Sequence, residues 1–181
     1  MGEKQISLRD AEEQVRKVCY RLGLLHACFA RTLSDELGDE RAREIILKAI
    51  KDYSIQVGRQ VKARVVAQGK GNSPENYDGD LPSYGMHDTT EWVEVDGEKR
   101  LRMRGCVMGK LWREMGEGGL GRLYCYVDIA KYMAFNPRYK LVHLKTLPDG
   151  DDYCEFAIRP TTRQERADFK NKDVDWSYID R

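Results

Sequence analysis

An α+β fold is what the sequence predicts: long N-terminal helices packed with an antiparallel sheet of hairpins, and a helix pair inserted between those hairpins. Three observations carry it. Apolar residues recur at spacings of three and four from residue 7 to about residue 67. Two later stretches alternate like strands around Asp96-Gly97 and around Pro148-Asp149-Gly150. Between them, residues 107 to 134 return to helical spacing. Strands that pair with their chain neighbours, with helices grouped apart from them, build antiparallel rather than parallel sheets.

The first helix opens at "SLRD", where Ser7 stands in the cap position with Asp10 three residues on. Val15, Val18, Cys19, Leu22, Leu25 and Phe29 then predict its buried face. Gly38 followed by Asp39 reads as a stop and a restart. In the second helix Ile46, Ile50, Tyr53, Val57 and Val61 continue as an apolar stripe. Residues 69 to 89 hold four glycines and two prolines among Asn, Asp and Ser, which marks a loop: a mobile connector or a functional lid.

In "TEWVEVDGEKRLRMR" a two-residue turn at Asp96-Gly97 sets opposed residue numbers to sum to 193, so Trp92 faces Leu101, Thr90 faces Met103 and Glu91 faces Arg102. Residues 107 to 115 and 120 to 134 read as two helices joined by "GEGG", the second ending before Asn136-Pro137. "YKLVHLKTL" and "DYCEFAIRP" form the last hairpin, with Val142 and Leu144 on one face of its first strand and Cys154, Phe156 and Ile158 on one face of its second. The rest is a charged tail anchored by Trp176, Tyr178 and Ile179. With 181 residues and no internal repeat, the chain suits one domain over 1–181, made of a helical half (1–68), a sheet and helix-pair half (90–159) and the tail (160–181).

Charge excludes some functions. Thirty-one Lys and Arg oppose 30 Asp and Glu, a net charge of +1, so no basic field exists to hold nucleic acid. No apolar run is long enough to span a membrane, and the N-terminus lacks the apolar core of a secretion signal. Five cysteines, an odd number, read as reduced thiols in a cytoplasm. Neither a glycine-rich phosphate cradle nor a His-Glu-x-x-His or Gly-x-Ser-x-Gly motif is present; "GEGGLG" falls between helices rather than after a strand. The expectation is a small-molecule substrate without cofactor, with association between copies left open.

Chemistry concentrates around two cysteines. Cys106 lies between a strand end and a helix start, where the helix N-terminus and Arg104 favour the thiolate; the plainer reading is a small buried hydrophobe. Cys125 and Asp128 are three apart on one predicted helix, sharing an otherwise apolar face with Ile129 and Tyr132. An inward aspartate needs a partner: it seats a cation, serves as a base with a raised pKa, or caps a neighbour. A spatial zinc site from Cys106, Cys125 and Cys154 with Asp128 or a histidine is the metal alternative, but no close cysteine pair supports it. His26, His87 and His143 are scattered, and His143 shares its strand face with Leu141 and Lys145.

A cysteine, a helix with tryptophan, a glycine-containing turn, then "LYCYVD", "FNP" and "LKTLPDGDDYCEF" in that order resembles the L-2-amino-thiazoline-4-carboxylic acid hydrolase family. The likeness is clearest from Cys106 to Phe156 and weaker over the two N-terminal helices. Val107 stands where the family often has proline. What the resemblance implies is the opening of a cyclic amidine or thiazoline ring by water, at a C–N or C–S bond. Asp128 would hold or deprotonate the amidine nitrogen; Cys106 would attack the ring carbon, or Asp128 would activate water instead. Lys145 and Arg104 would meet a substrate carboxylate, with Cys125, Asn136, Cys154 and His143 lining or bracing the pocket. The family is also similar in fold to 4-vinyl reductase-type domains, which implies the competing reading, a non-catalytic small-ligand-binding domain.

Overall fold

Ser7 caps the first helix as its sequence suggests: its hydroxyl accepts the Asp10 backbone N–H at 3.1 Å in this computed structural model, which describes residues 5–77, 79–82 and 84–181. That helix, α1 (Leu8–Leu37), gives way at Gly38, whose φ of 78° only glycine adopts readily, to α2 (Asp39–Ala67). Next come β1 (Thr89–Val95) and β2 (Glu98–Arg104), then α3 (Val107–Glu114), α4 (Gly118–Cys125) and α5 (Val127–Phe135). The chain returns through β3 (Tyr139–Lys145) and β4 (Cys154–Pro160) and closes with α6 (Arg163–Lys170) and a 3-10 turn at Ser177–Ile179.

The four strands form one antiparallel sheet in the order β1-β2-β4-β3. Thr90 faces Met103, Glu91 faces Arg102 and Trp92 faces Leu101, the register that the Asp96-Gly97 turn dictates. Asp96 and Gly97 both take positive φ, 53° and 78°, as a two-residue hairpin turn requires. One face of the sheet gathers Leu141, Cys154, Phe156, Leu101, Met103 and Ile158, with Tyr132 of α5 packed against it. The opposite face sets charge beside the buried Val142 and Ala157: buried Glu155 accepts from Arg100 at 3.1 Å and from Arg102 at 2.5 Å.

The first helix corrects the expected core. Of its predicted buried face, Cys19 is buried and Val15 packs at the edge, while Val18, Leu22, Leu25 and Phe29 are 66%, 36%, 55% and 64% exposed. Small residues make the packed side instead: Gly23, Ala27 and Ala30 are buried, and Trp112 donates its indole N–H to the Gly23 carbonyl at 2.9 Å. A Cβ on Gly23 would come within 3.1–3.3 Å of Met108 and Leu111, so close approach of α3 selects small side chains over large ones. On α2 the expected stripe holds at Ile46, Ile50 and Val61, but Tyr53 is exposed.

Two further expectations change. Residues 120 to 134 are two helices rather than one, parted at Tyr126. Their glycines are less a spacer than a packing device: a Cβ on Gly121 would lie 2.3 Å from the Trp112 ring. The C-terminal residues are more than a charged tail. Thr162 and Glu165 form a reciprocal cap for α6, Trp176 and Ile179 are buried in the main core, and only Tyr178 of the three proposed anchors stays exposed. No helix among the described residues is long and apolar enough to cross a membrane.

Candidate active site

Cys106 occupies the cap position of α3, and the Gly109 backbone N–H points at its sulfur at 3.5 Å. The preceding Gly105 turns the chain at φ 70°, and a Cβ there would collide with the Asp88 carboxylate. Cys125 ends α4 and Asp128 begins α5, so they belong to successive helices and not to one continuous face. Across the core, α5 crosses α2 at Gly58, where a Cβ would lie 2.2 Å from the Lys131 carbonyl oxygen. That close crossing fixes the height of Lys131 and, one turn earlier, of Asp128.

Charged groups meet around Asp128. Lys131 Nζ lies 2.8 Å from Asp128 Oδ1 and 3.5 Å from Asp80 Oδ1, the latter carried by the long loop. His143 Nε2 is 3.4 Å from Asp128 Oδ2, close enough for charge attraction but too poorly aligned for a hydrogen bond, so this buried nitrogen has no hydrogen-bond partner among the described residues. On its other side His143 Nδ1 lies 3.1 Å from both oxygens of Asp180, and the His143 backbone N–H donates to Asp180 Oδ1 at 2.7 Å. Asp180 also pairs with Arg122, which reaches Asp149 at 3.0 Å through Nε and keeps Nη1 buried without an acceptor among the described residues. An imidazole is thus strung between two carboxylates, each backed by a cation.

Loop residues close the neighbourhood. Tyr77 stacks on Tyr132 with ring centroids 4.2 Å apart and meets Phe135 edge-on at 5.1 Å, its buried hydroxyl without a partner among the described residues. Asn72 donates to the Phe135 carbonyl and Asn136 donates back to the Asn72 carbonyl, both at 2.9 Å, so the loop is clipped to the end of α5.

Protonation follows from these contacts. Burial alone would raise Asp128, but Lys131 and His143 outweigh it and hold the carboxyl well below the usual range. His143 shows the converse: burial would lower it, and the two flanking carboxylates raise it instead. Lys131 is likewise raised, since Asp128 and Asp80 overcome burial. Cys106 is raised by burial, against the pull of the Gly109 and Met108 N–H groups and with the help of Asp128. Burial lifts Cys125 far above the ordinary thiol range and takes Cys154 to about 12. The expectation of a readily ionised Cys106 is therefore corrected: desolvation and a neighbouring anion defeat the helix terminus. Asp128 as a base with a raised pKa is corrected too, because the cations Lys131 and His143 outweigh its burial.

The structure brings Cys106, Cys125, Cys154, Asp128 and His143 into one electrostatically connected group. Arg104 and Lys145 lie elsewhere, exposed and each 4.7 Å from the centre of the Tyr153 ring, and Asn136 serves the loop clip. Among the described residues no three His, Cys, Asp or Glu side chains gather as a metal site would require. Surface hollows of about 610 Å³ beside Pro137, Thr161 and Arg166, and about 420 Å³ beside Gly38 and Glu44, lie away from the group.

Sequence reasoning missed Asp180, Arg122, Lys131, Asp80 and Tyr77 as members of this site. Lys131 was legible as the opposite charge one turn after Asp128 on an apolar helix. Asp180 was legible only as an acid beside Trp176 and Ile179; nothing local points it at His143. The protein-family model described as L-2-amino-thiazoline-4-carboxylic acid hydrolase matches residues 16–158. No curated protein and no solved structure matches.

Proposed function

From the premise that the chain belongs to the L-2-amino-thiazoline-4-carboxylic acid hydrolase family, we propose that it opens a small cyclic amidine or thiazoline ring with water, at the group centred on Asp128 and His143. One observation supports this above the others: the buried Asp180–His143–Asp128 chain, whose Nε2 lacks an aligned acceptor.

A protonated amidine is planar and cationic, and the Asp128 carboxylate, kept ionised at neutral pH by Lys131 and His143, suits its two N–H groups. Water adds to the amidine carbon. The ring C–S or C–N bond breaks as His143 passes its Nε2 proton to the departing heteroatom, and the proton lost by the water restores the imidazolium. Asp180 holds the ring and its charge through Nδ1. The free N–H of Arg122 offers a carboxylate contact in the role first assigned to Lys145 and Arg104. Cys106, held as a thiol, lines this site rather than attacking.

Turnover of L-2-amino-thiazoline-4-carboxylate by purified protein tests the reading. Asp128→Asn and His143→Gln should each lose about a hundredfold or more in kcat, the usual scale for a general acid, while Cys106→Ala keeps most activity. Full activity in both of the first two variants would end the proposal.

The stacked Tyr77–Tyr132 pair favours a second reading, a domain that binds a flat small ligand without turnover. Saturable binding of the thiazoline with no product after prolonged incubation selects it.

A further inference from the structure

The helix face that the core leaves uncovered is regular. Val18, Leu22, Leu25 and Phe29 recur at spacings of four, three and four along α1 and are 66%, 36%, 55% and 64% exposed. Leu8, Ala11 and Val15 extend the same heptad series toward the N-terminus. On one flank, seven residues apart, run Arg21, Cys28 and Asp35, all exposed. Neither Arg21 nor Asp35 makes a hydrogen bond or ion pair among the described residues, although Arg16, Lys17 and Arg31 of the same helix are all paired.

We infer that this face is where a second copy of the chain docks, with the two α1 helices antiparallel across a two-fold axis near residue 28. In an antiparallel pair each position of the apolar seam faces its alternate on the partner helix. The register that brings Arg21 against the partner's Asp35 overlaps the two helices from residue 18 to residue 36 and seats Val18 against the partner's Glu36 at each end. It sets Leu25 against the partner's Phe29 and Leu22 against the partner's Thr32, while Cys28 meets its own copy on the axis. The two charge pairs form together because the flank is positive at one end and negative at the other. Two-fold self-complementarity of this kind is what an isologous interface needs.

Charge favours a second copy as the occupant. Helix α1 carries five basic and five acidic side chains, so it holds no net charge to draw it onto an anionic membrane, as the basic face of a surface-bound helix would.

Sedimentation equilibrium of the full chain at 1–50 μM should give twice the monomer mass, falling to one monomer in Leu25→Glu/Phe29→Glu with the helix content unchanged. Reversal at one site, Arg21→Asp, should weaken self-association about tenfold or more by setting two acids against each other. The double reversal Arg21→Asp/Asp35→Arg should restore it, which general loss of structure could not do. A short bismaleimide should link two chains through Cys28 and fail in Cys28→Ser. A monomer throughout that range overturns the inference, as does a dimer indifferent to Leu25→Glu/Phe29→Glu. Recruitment of the monomer to phosphatidylserine vesicles through α1 would overturn it in favour of a lipid surface.

Discussion

Replacing Asp180 with asparagine keeps the shape of the side chain and removes its charge. In the native protein His143 meets that carboxylate three times, at 2.7 Å through its backbone N–H and at 3.1 Å from Nδ1 to each oxygen. Asparagine still accepts one hydrogen bond, but a hydrogen bond to a charged group contributes about 1.5–3 kcal/mol against about 1 for a neutral one. The imidazolium therefore loses on the order of 1–2 kcal/mol, which lowers the His143 pKa toward its ordinary value. Because His143 is raised in the folded protein, its contribution to stability is full below the ordinary histidine value and fades as pH rises through the folded one. In Asp180→Asn that increment should shrink, so urea midpoints measured at pH 5 and pH 8 should lie closer together than in the wild type. Nuclear magnetic resonance titration of the three histidines, with His143 assigned by substitution, reads the pKa directly. An unchanged His143 titration would refute the proposed role of Asp180, because a merely structural contribution would move the urea midpoint and not the imidazole.

Other outcomes follow from the same contacts. Lys131→Met leaves Asp128 and Asp80 without their shared cation, and should cost about 3–5 kcal/mol as breaking a buried pair does, measured by urea unfolding at pH 7. Asp128 and Asp180 both titrate below the ordinary carboxylate range, so they stabilise the fold above pH about 4 and withdraw that support as pH falls through their lowered values. Circular dichroism between pH 5 and pH 2 should show acid unfolding that Asp180→Asn makes less steep. At pH 7.5 a thiol reagent should modify Cys28 quickly and reach the other four cysteines only slowly or after denaturation, since burial raises or shields those sulfurs. Gly121→Val, which drives a side chain into the Trp112 ring, should lower stability by about 2 kcal/mol or more in thermal unfolding.

Local chemistry was easy to read and distant chemistry was not. The Ser7 cap, the stop at Gly38 and the first hairpin's register each depend on residues a few places apart, and the structure has them where the sequence puts them. The buried face of α1 was misjudged because apolar periodicity weighs large side chains, whereas contact with α3 was settled by the smallest ones, Gly23, Ala27 and Ala30. At the site the sequence singled out Cys106, Asp128 and His143, yet it mistook the ionisation of Cys106 and of Asp128 as a base. A helix terminus is visible in a sequence; the desolvation that overrides it depends on what packs above, and that comes from residues far along the chain. Asp80, Arg122 and Asp180 arrive from three separate segments, which no spacing rule could have gathered.

Gly58 gives the design of this protein an unusual sensitivity. Glycine inside a helix is normally the first position an engineer would replace, because alanine there adds up to about 1 kcal/mol of helix stability. Here a single methyl would press on the carbonyl of Lys131 and push α5 outward, taking the ammonium away from both of its carboxylates. Selection for thermostability alone would then favour substitutions elsewhere on α2 and reject this one. A library scored on heat resistance would thus map the support of the charged group around Asp128 without ever assaying a reaction.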